Sequence, residues 1–287
     1  MLRFKCLIWG LLLCAPFLQA DELRKSIDYA VFHSGAEPIV ELYYSIYSSD
    51  LTFEPEGGDY KAYYLGQLNV QQNDSIINSF AWKNVQSIAK PSDLQETDLL
   101  VDQITLSLPA GNYVGMFTLQ DLNSGASPDT TLFDIKVPAL QEDAYFSDIE
   151  FASSIRRAQE NEKDSRFYKN TLLVEPNPSL LYSSEMPALF FYVELYNVAR
   201  LAEQKSYTFT YSVVDKNGKQ VPKVEPKNIT RQNATSAMVE FGYLNVGELQ
   251  AGGYQLKLEL HVDEQIVAEK MRDFYVYQTS PRVAVAP

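Results

Sequence analysis

The sequence predicts an all-β protein built from two tandem β-sandwich domains of the immunoglobulin or fibronectin type, preceded by a signal peptide. Three observations lead to this prediction. Short alternating apolar segments are separated by turn residues, the chain is rich in tyrosine (19) and phenylalanine (15), and one pattern occurs twice along its 287 residues. Aromatic residues are favoured on pleated sheets, so we expect strands to dominate both domains.

The first twenty residues have the features of a secretory signal peptide. Arg3 and Lys5 precede an apolar run from Cys6 to Phe17, and Ala20 provides a small residue at the expected cleavage point. The alternative, an uncleaved anchor, would need roughly 20 apolar residues to span a bilayer. We therefore predict an exported protein, in the periplasm, on the outer surface or secreted, with no transmembrane segment in its mature chain.

The cysteines and the charge exclude several functions. Cys6 and Cys14 both lie in the signal segment, so the mature chain would lack disulfides, thiol nucleophiles and cysteine-bound metals. Leu13, rather than a small residue, precedes Cys14, which argues against lipid attachment. Removing Arg3 and Lys5 from the 24 basic residues leaves 22 against 37 acidic residues, a net charge of −15. That charge argues against nucleic acid as a partner.

Strand-like segments with turn signals between them fill the first half of the chain. They are IDYAVFHSG, PIVELYYSIY, DYKAYYLGQLNV and, after a less regular stretch, QITLSLPAG. In the last segment Ile104, Leu106 and Leu108 alternate with polar residues, which is typical of a strand with one solvent-facing side. The charged piece from Ser154 to Lys169 is instead expected to be a solvated loop with one or two helical turns.

An internal duplication is indicated by two similar stretches, LSLPAGNYVGMFTLQD and LQAGGYQLKLEL. At an offset of 141 residues the matched pairs are Leu108 and Leu249, Gly111 and Gly252, Tyr113 and Tyr254, Phe133 and Phe274, and Ile135 and Val276. An upstream segment matches at an offset of 144, which pairs Tyr63 with Tyr207 and Val70 with Val214. The repeat predicts a signal peptide at 1–20, a first sandwich at 21–140 and a second at 141–287, each with about seven strands.

The repeated turn itself is interpreted as structural. A tyrosine at the start of such a strand can bind the backbone of the preceding connection through its hydroxyl, as in the tyrosine corner. Tyr113 and Tyr254 are the predicted corner residues. Gly111 and Gly252 come just before them and would accept a positive φ at little steric cost.

Catalytic motifs are absent from the sequence. Its two histidines, His33 and His261, have no partner at the spacing of a metal site or a catalytic triad, and there is no G-x-S-x-G elbow, P-loop or dinucleotide-binding fingerprint. We therefore predict no enzymatic activity, no cofactor and no metal site. Clustered carboxylates such as Asp148 and Glu150 leave a hydrolase with a carboxylate pair open as an alternative.

Two aromatic strand faces are the candidate binding surfaces. Alternation in FFYVELY places Phe190, Tyr192 and Tyr196 on the side opposite Phe191, Val193 and Leu195, and in VELYYSIY it places Tyr43 and Tyr47 on one face. Exposed tyrosines suit protein partners, or sugars stacked on the rings. The alternative is that these faces pack against the sister domain.

Several stretches resemble the N-terminal region of secreted bacterial proteins named for a C-terminal GWxTD module. They are VELYYSIYSSDLTF, LPAGNY with the following LQDLNSG, YFSDIEFASSI and VEPNPSLLYSSEMPALFFYVELYNV. The resemblance implies an exported or cell-envelope protein of a Gram-negative bacterium with tandem β-sandwiches and no established activity. The chain contains no GWxTD sequence, so nothing owed to that module is carried over.

The leading functional hypothesis is a non-enzymatic binding or scaffolding protein whose partner is an unknown envelope protein or polysaccharide. A carbohydrate-binding module that uses the exposed tyrosines is the second hypothesis, and the carboxylate-pair hydrolase is the third.

Overall fold

The chain is built almost entirely of β-strands. The computed structural model describes residues 23–198, 206–232, 237–262 and 264–278, so the predicted signal peptide lies outside the described residues. Within them are nineteen strands and three short 3-10 turns, at Ser48–Asp50, Pro91–Asp93 and Glu160–Glu162. None of the helical segments in the described residues has the length and apolar character to cross a membrane. The predicted all-β class is confirmed.

The N-terminal half, strands β1–β8, forms one sandwich. Its strands are β1 (Lys25–Ser34), β2 (Glu37–Tyr47), β3 (Glu54–Glu56), β4 (Asp59–Gln72), β5 (Ser75–Ile88), β6 (Leu99–Ser107), β7 (Gly111–Asp121) and β8 (Asp129–Val137). Sheet A has the order β1-β2-β6, and sheet B has the order β3-β4-β7-β8 with β5 also paired to β4. Both sheets contribute to one core, which includes Leu42, Tyr44, Leu68 and Phe117. The stretch that looked irregular in the sequence, between residues 75 and 88, is the long strand β5.

The C-terminal half, strands β9–β19, repeats this plan with additions. Its strands are β9 (Tyr145–Phe146), β10 (Glu150–Arg157), β11 (Tyr168–Lys169), β12 (Leu172–Pro176), β13 (Leu181–Tyr182), β14 (Ala188–Tyr196), β15 (Ser206–Asp215), β16 (Lys227–Gln232), β17 (Ala237–Asn245), β18 (Gly252–Val262) and β19 (Gln265–Val276). Sheet C has the order β11-β12-β10-β14-β17, with β9 also on β14, and sheet D has the order β13-β19-β18-β15-β16. Phe191, Phe209, Leu258 and Phe274 lie in their shared core.

Seven strands of each half are equivalent in order and pairing. The three central strands of sheet C, β10-β14-β17, correspond to sheet A, and β16-β15-β18-β19 correspond to β5-β4-β7-β8. Of the remaining strands of the second half, β11 and β12 extend sheet C beyond β10, β13 extends sheet D beyond β19, and β9 pairs with the end of β14. The domain bounds 21–140 and 141–287 stay predictions.

The register of the repeat differs from the sequence alignment outside the shared turn. Tyr113 pairs with Ile135 and Tyr254 pairs with Phe274, so the last strands match at an offset of 139, and the predicted match of Phe133 to Phe274 is wrong. In the upstream strands, Val70 pairs with Gly115 and Val213 with Leu256, which corrects the offset of 144 to 143. The buried equivalent of Tyr207 is therefore Tyr64 rather than Tyr63, whose hydroxyl binds exposed Glu56.

Both predicted tyrosine corners are present. The Tyr113 hydroxyl donates to the Pro109 carbonyl oxygen at 2.7 Å, and the Tyr254 hydroxyl donates to the Gln250 carbonyl oxygen at 3.0 Å. The positive φ expected of the glycines is found at Gly252, with φ of 159°, but not at Gly111. A Cβ at position 111 would instead lie 3.0 Å from the Gln72 side chain and 3.2 Å from the Tyr113 hydroxyl. Gly111 is favoured there by close packing.

Candidate functional site

The two sandwiches meet through the outer faces of sheets A and C, and this contact is called the junction. Strand alternation places Ala30, Phe32 and Tyr43 on the outer face of sheet A. They pack in one buried cluster against residues of sheet C that include Val174 and Tyr192. The side chains of Tyr43 and Tyr192 are fully buried. The part of each outer face that carries these residues is thus covered by the other half of the chain.

Lys169 lies at the centre of the junction. Its ammonium binds Glu150 of its own half at 2.6 Å and also Glu41 of the N-terminal half. It lies 4.6 Å from the ring centre of Phe32 and 5.1 Å from that of Tyr192, within the range of cation–π attraction. A lysine buried to this degree requires such compensation, because taking its charge out of water costs several kcal/mol or more.

Burial and pairing shift the pKa values of this cluster in a consistent way. Burial raises the pKa of Glu150 to about 7, against the lowering effect of neighbouring Lys169. Burial alone would lower the pKa of Lys169, but the carboxylates of Glu150 and Glu41 outweigh it and the pKa is raised. Burial likewise raises the pKa of Tyr43, whose hydroxyl donates to Glu41 at 2.7 Å. Lysine therefore stays charged at the centre, while Glu150 titrates near neutrality.

A second polar group, centred on Glu194, continues from this cluster. Its carboxylate accepts hydrogen bonds from the Tyr192 hydroxyl at 2.7 Å, from the Asn170 amide at 3.0 Å and from the Tyr196 hydroxyl. The Tyr196 hydroxyl in turn accepts the backbone N–H of His33 at 2.9 Å. The group therefore ties β14 of the second half to β1 of the first.

The His33 ring is held by tyrosines at the edge of the junction. It makes edge contacts with Tyr145 and Tyr196, with ring centres 5.8 and 5.4 Å away. Burial lowers its pKa, which favours the neutral imidazole. Its Nε2 atom is buried and has no hydrogen-bond partner among the described residues.

An open cleft of about 390 Å³ borders the junction, and Glu41, Lys169, Asn170, Glu194 and Tyr196 contribute to its wall. Glu41 and Glu194 are thus two carboxylates at one cleft, which is where the hydrolase hypothesis would place its chemistry. Burial raises the pKa of Asp28 to about 6 and that of Glu150 to about 7, and neither residue lines this cleft. A glycosidase needs a carboxylic acid with a raised pKa in contact with substrate, and neither of these two groups is placed to be that acid at this cleft.

Two more ion pairs cross between the halves. Arg272 on β19 binds Asp28 on β1 and donates to the Tyr29 carbonyl oxygen at 3.2 Å. Arg166, between the 3-10 turn at Glu160–Glu162 and β11, binds Asp102 on β6. Together with Lys169, basic residues of the C-terminal half therefore neutralise three acidic residues of the N-terminal half.

The predicted binding residues are placed differently from an exposed tyrosine surface. Tyr43 and Tyr192 are fully buried and Tyr196 is 8% exposed. The prediction that these three tyrosines are exposed, as a sugar-stacking platform requires, is therefore wrong. The alternative, packing against the sister half, is what the structure has. Phe190 is half-buried, with its ring centre 5.6 Å from that of Tyr243, and Tyr47 is half-buried with the Arg24 guanidinium 4.2 Å from its ring centre.

Sequence reasoning missed Lys169 because it closes a charged segment that resembled a solvated loop. Strand β10 in fact continues to Arg157, and after the turn at Glu160–Glu162 the chain returns to strand at Tyr168–Lys169. The sequence of the neighbouring strands did indicate that a buried cation is needed. Glu41 and Glu194 each lie two residues from a tyrosine on the same strand face, and a carboxylate in that position needs a positively charged partner once the face is buried.

Within the described part of the chain, no group of three or more histidine, cysteine or acidic residues is arranged to hold a metal ion.

Comparison with known proteins adds solved structures of low similarity. No protein-family model and no curated protein sequence matches the chain. One similar solved structure is red sea bream transglutaminase, with 10% sequence identity and a TM-score of 0.26 over 90% of this chain and 31% of that one. Another is a glycosyl hydrolase family 2 member from Bacteroides cellulosilyticus, with 11% identity and a TM-score of 0.27 over 81% of this chain and 28% of that one. A third is the BSP domain of a biofilm-associated protein, with 8% identity and a TM-score of 0.23 over 91% of this chain and 52% of that one. The chain spans between about a quarter and a half of the length of these solved structures.

Proposed function

We propose that this chain is an exported, non-enzymatic binding or scaffolding protein of the bacterial cell envelope. Its two sandwiches act as one rigid body that positions a partner, either an envelope protein or a polysaccharide. The signal-peptide pattern at residues 1–20 and the resemblance to the N-terminal region of GWxTD proteins support export. The junction supports rigidity, because a buried apolar cluster and three ion pairs connect the halves.

The observation that carries the proposed binding role is an aromatic strip on sheet C, formed by Phe190, Phe241 and Tyr243. Phe190 lies directly opposite Tyr243 across β14 and β17, so the strip continues the face that the N-terminal half covers. Phe241 is 44% exposed and Tyr243 is 60% exposed. Aromatic residues at the centre of a surface patch are enriched in protein interfaces, so the strip is the place where a partner would contact the protein.

The test is site-specific photo-crosslinking in the bacterium. A photo-reactive phenylalanine analogue replaces Tyr243 in the strip or Leu132 on β8, whose exposed fractions of 60% and 63% are matched. We expect the protein in the envelope fraction without its first twenty residues, and a discrete crosslinked product from position 243 only. Recovery in the cytoplasm, or the same products from both positions, would contradict the proposal.

The carboxylate-pair hydrolase keeps one observation in its favour, because Glu41 and Glu194 line the same cleft. Release of reducing ends from cell-envelope polysaccharide by the purified protein, abolished by Glu194→Gln, would favour that function over the one proposed. The conservative variant keeps an acceptor for the Tyr192 and Asn170 hydrogen bonds, so a loss of fold would not account for such a result.

A further inference from the structure

Strand β5 forms a long free edge of the N-terminal sandwich. It runs over fourteen residues, Ser75–Ile88, and pairs with β4 along one side. No other described strand pairs with its second side, and the other edge strands of the described sheets have at most ten residues. The backbone N–H and C=O groups along that second side can therefore pair with a strand from another molecule.

The edge of β5 lacks most of the features that prevent pairing between molecules. Such features are prolines, bulges and charged side chains. β5 contains no proline, and Lys83 is its only charged residue. The Lys83 ammonium lies 4.3 Å from the ring centre of Tyr63 on β4, so it is directed away from the free edge. A bulge is present only near Ile77, and the strand beyond it is regular.

Apolar surface accompanies this edge on both faces of the sheet. On the outer face, Ile77 is 43% exposed and Val85 is 54% exposed. On the inner face, Phe80 and Trp82 are half-buried and border an open cleft of about 460 Å³ between β5 and β6. A strand added to β5 would therefore bury apolar side chains as well as form backbone hydrogen bonds, and both stabilise the contact.

A second copy of the chain fits this edge because β5 is self-complementary. A twofold axis brings the same surface of both copies together, and residues directly opposite in an antiparallel pair lie on one face of the sheet. With the axis at Ala81, Ile77 of each copy lies opposite Val85 of the other. Phe80 then lies opposite Trp82 on the inner face. Both apolar pairs occur twice, once on each side of the axis.

Other positions of the axis give poorer pairs. An axis at Trp82 would place Ile77 opposite Ser87 and leave it without an apolar partner. An axis at Lys83 would place two ammonium groups opposite each other, and like charges in that position are destabilising. The sequence of β5 therefore favours the register centred on Ala81.

The charge of the chain also favours this edge as the contact between copies. The chain has a net charge of −13, so two copies repel each other where acidic side chains face one another. Strand β5 contains no acidic residue. We propose that two copies of this chain associate through antiparallel pairing of their β5 edges, with the twofold axis at Ala81, so that sheet B continues from one copy into the other.

This inference goes beyond the proposed binding function and does not depend on it. The aromatic strip that includes Tyr243 lies on sheet C, in the other half of the chain, so a dimer carries two strips and can hold two partners. Association of purified copies can fail while crosslinking through Tyr243 succeeds, and the reverse also holds.

The first test is disulfide crosslinking in the full chain carrying Cys6→Ser and Cys14→Ser, because these are its only cysteines. Ala81→Cys places two thiols on the axis, with Cα atoms about 4.5–5.5 Å apart, within the range of a disulfide. Ser79→Cys is the matched control, because it is exposed on the same face but its two copies are separated by roughly 13 Å along the strands. We expect a disulfide-linked dimer from Ala81→Cys and from a mixture of Ser79→Cys with Lys83→Cys, but not from Ser79→Cys alone.

Sedimentation equilibrium then measures association without a crosslink. We expect the wild type to form a dimer with a dissociation constant below about 10 μM. Ala81→Lys changes an exposed residue, so the fold should be kept, and it should weaken association about fivefold because two ammonium groups meet on the axis. Leu132→Lys adds the same charge on β8, at the opposite edge of sheet B, and should leave association unchanged.

Three results would overturn the proposal. They are a wild type that stays monomeric at about 100 μM, equal disulfide yields from Ala81→Cys and Ser79→Cys, and equal association of Ala81→Lys and Leu132→Lys.

Discussion

Replacing Lys169 by methionine should be among the most destabilising changes in the chain that leave the apolar packing intact. Methionine fills a similar volume, so what is lost is the charge between two carboxylates. The side chains of Glu150 and Glu41 are 0% and 13% exposed. Removing one partner of a buried ion pair costs about 3–5 kcal/mol, a large part of the roughly 5–15 kcal/mol that stabilise a domain.

The assay is urea unfolding of Lys169→Met near neutral pH, with Lys163→Met as the matched control. Lys163 binds Glu160 at 2.8 Å, but these side chains are 52% and 87% exposed, and a surface pair contributes about 0–1 kcal/mol. The triple variant that adds Glu41→Gln and Glu150→Gln should recover most of the loss, because the remaining groups are neutral and the Tyr43 hydroxyl keeps an acceptor.

The pH dependence provides an independent check of the same cause. Without the lysine, the folded-state pKa of Glu150 rises further above its unfolded value, so the deficit relative to wild type should be smallest near about pH 5 and grow toward about pH 8. A loss below about 1 kcal/mol, or a triple variant as unstable as Lys169→Met, would refute the electrostatic account of the junction.

Three further predictions concern other parts of the fold. Tyr113→Phe should lower stability by about 0.5–1.5 kcal/mol because the part-buried bond from its hydroxyl to the Pro109 carbonyl is lost, whereas Tyr254→Phe, where the bond is exposed, should cost less. Equal unfolding midpoints for both variants and wild type would contradict the corner. Glu150→Gln should remove stability that is fully present below about pH 4.5 and lost as pH rises through about 7, so unfolding titrations should show a flatter pH profile. Gly66→Ala should displace the Trp82 ring, because an added Cβ would lie 2.3 Å from its ring atoms Cε2 and Cζ2. We expect the Trp82 emission to shift to the red and the free energy of unfolding to fall by about 1–3 kcal/mol through overpacking. Unchanged emission would count against this close contact of Gly66 and Trp82.

The alternation of apolar residues predicted the strand faces well. In β14, Phe191, Val193 and Leu195 are fully buried in the core of the second sandwich, as their spacing indicated. The same pattern could not indicate what covers the opposite face. The side chains that cover Tyr192, such as Phe32 and Tyr43, lie about 150 residues away along the chain, and no local signal connects strands so far apart.

The register errors have a related cause. A strand pattern with period two looks the same after a shift of two residues, so the match of Phe133 to Phe274 kept the correct faces and still placed the strand incorrectly. A shift of one residue exchanges the faces. That is why the match of Tyr63 to Tyr207 paired a half-exposed residue with a buried one, and the hydrogen-bonded ladder assigns Tyr64 instead.

The polar centre of the junction was the least predictable feature. A lysine in a charged run has the composition of a solvated loop whether or not it is buried. Its burial follows from the return of the chain at β11 and from carboxylates on two different sandwiches. The tyrosine corners were predictable because each hydroxyl binds a carbonyl only four residues upstream.

The direction of the three ion pairs between the halves has a consequence for the order of folding. Asp28, Glu41 and Asp102 are made early, and each receives its cation from a residue synthesised later. Until the second sandwich is complete, these carboxylates of the first sandwich remain hydrated and Tyr43 on its outer face remains exposed to water. We therefore expect the newly made first sandwich to be only marginally stable alone, and docking to be a late step that stabilises both halves together.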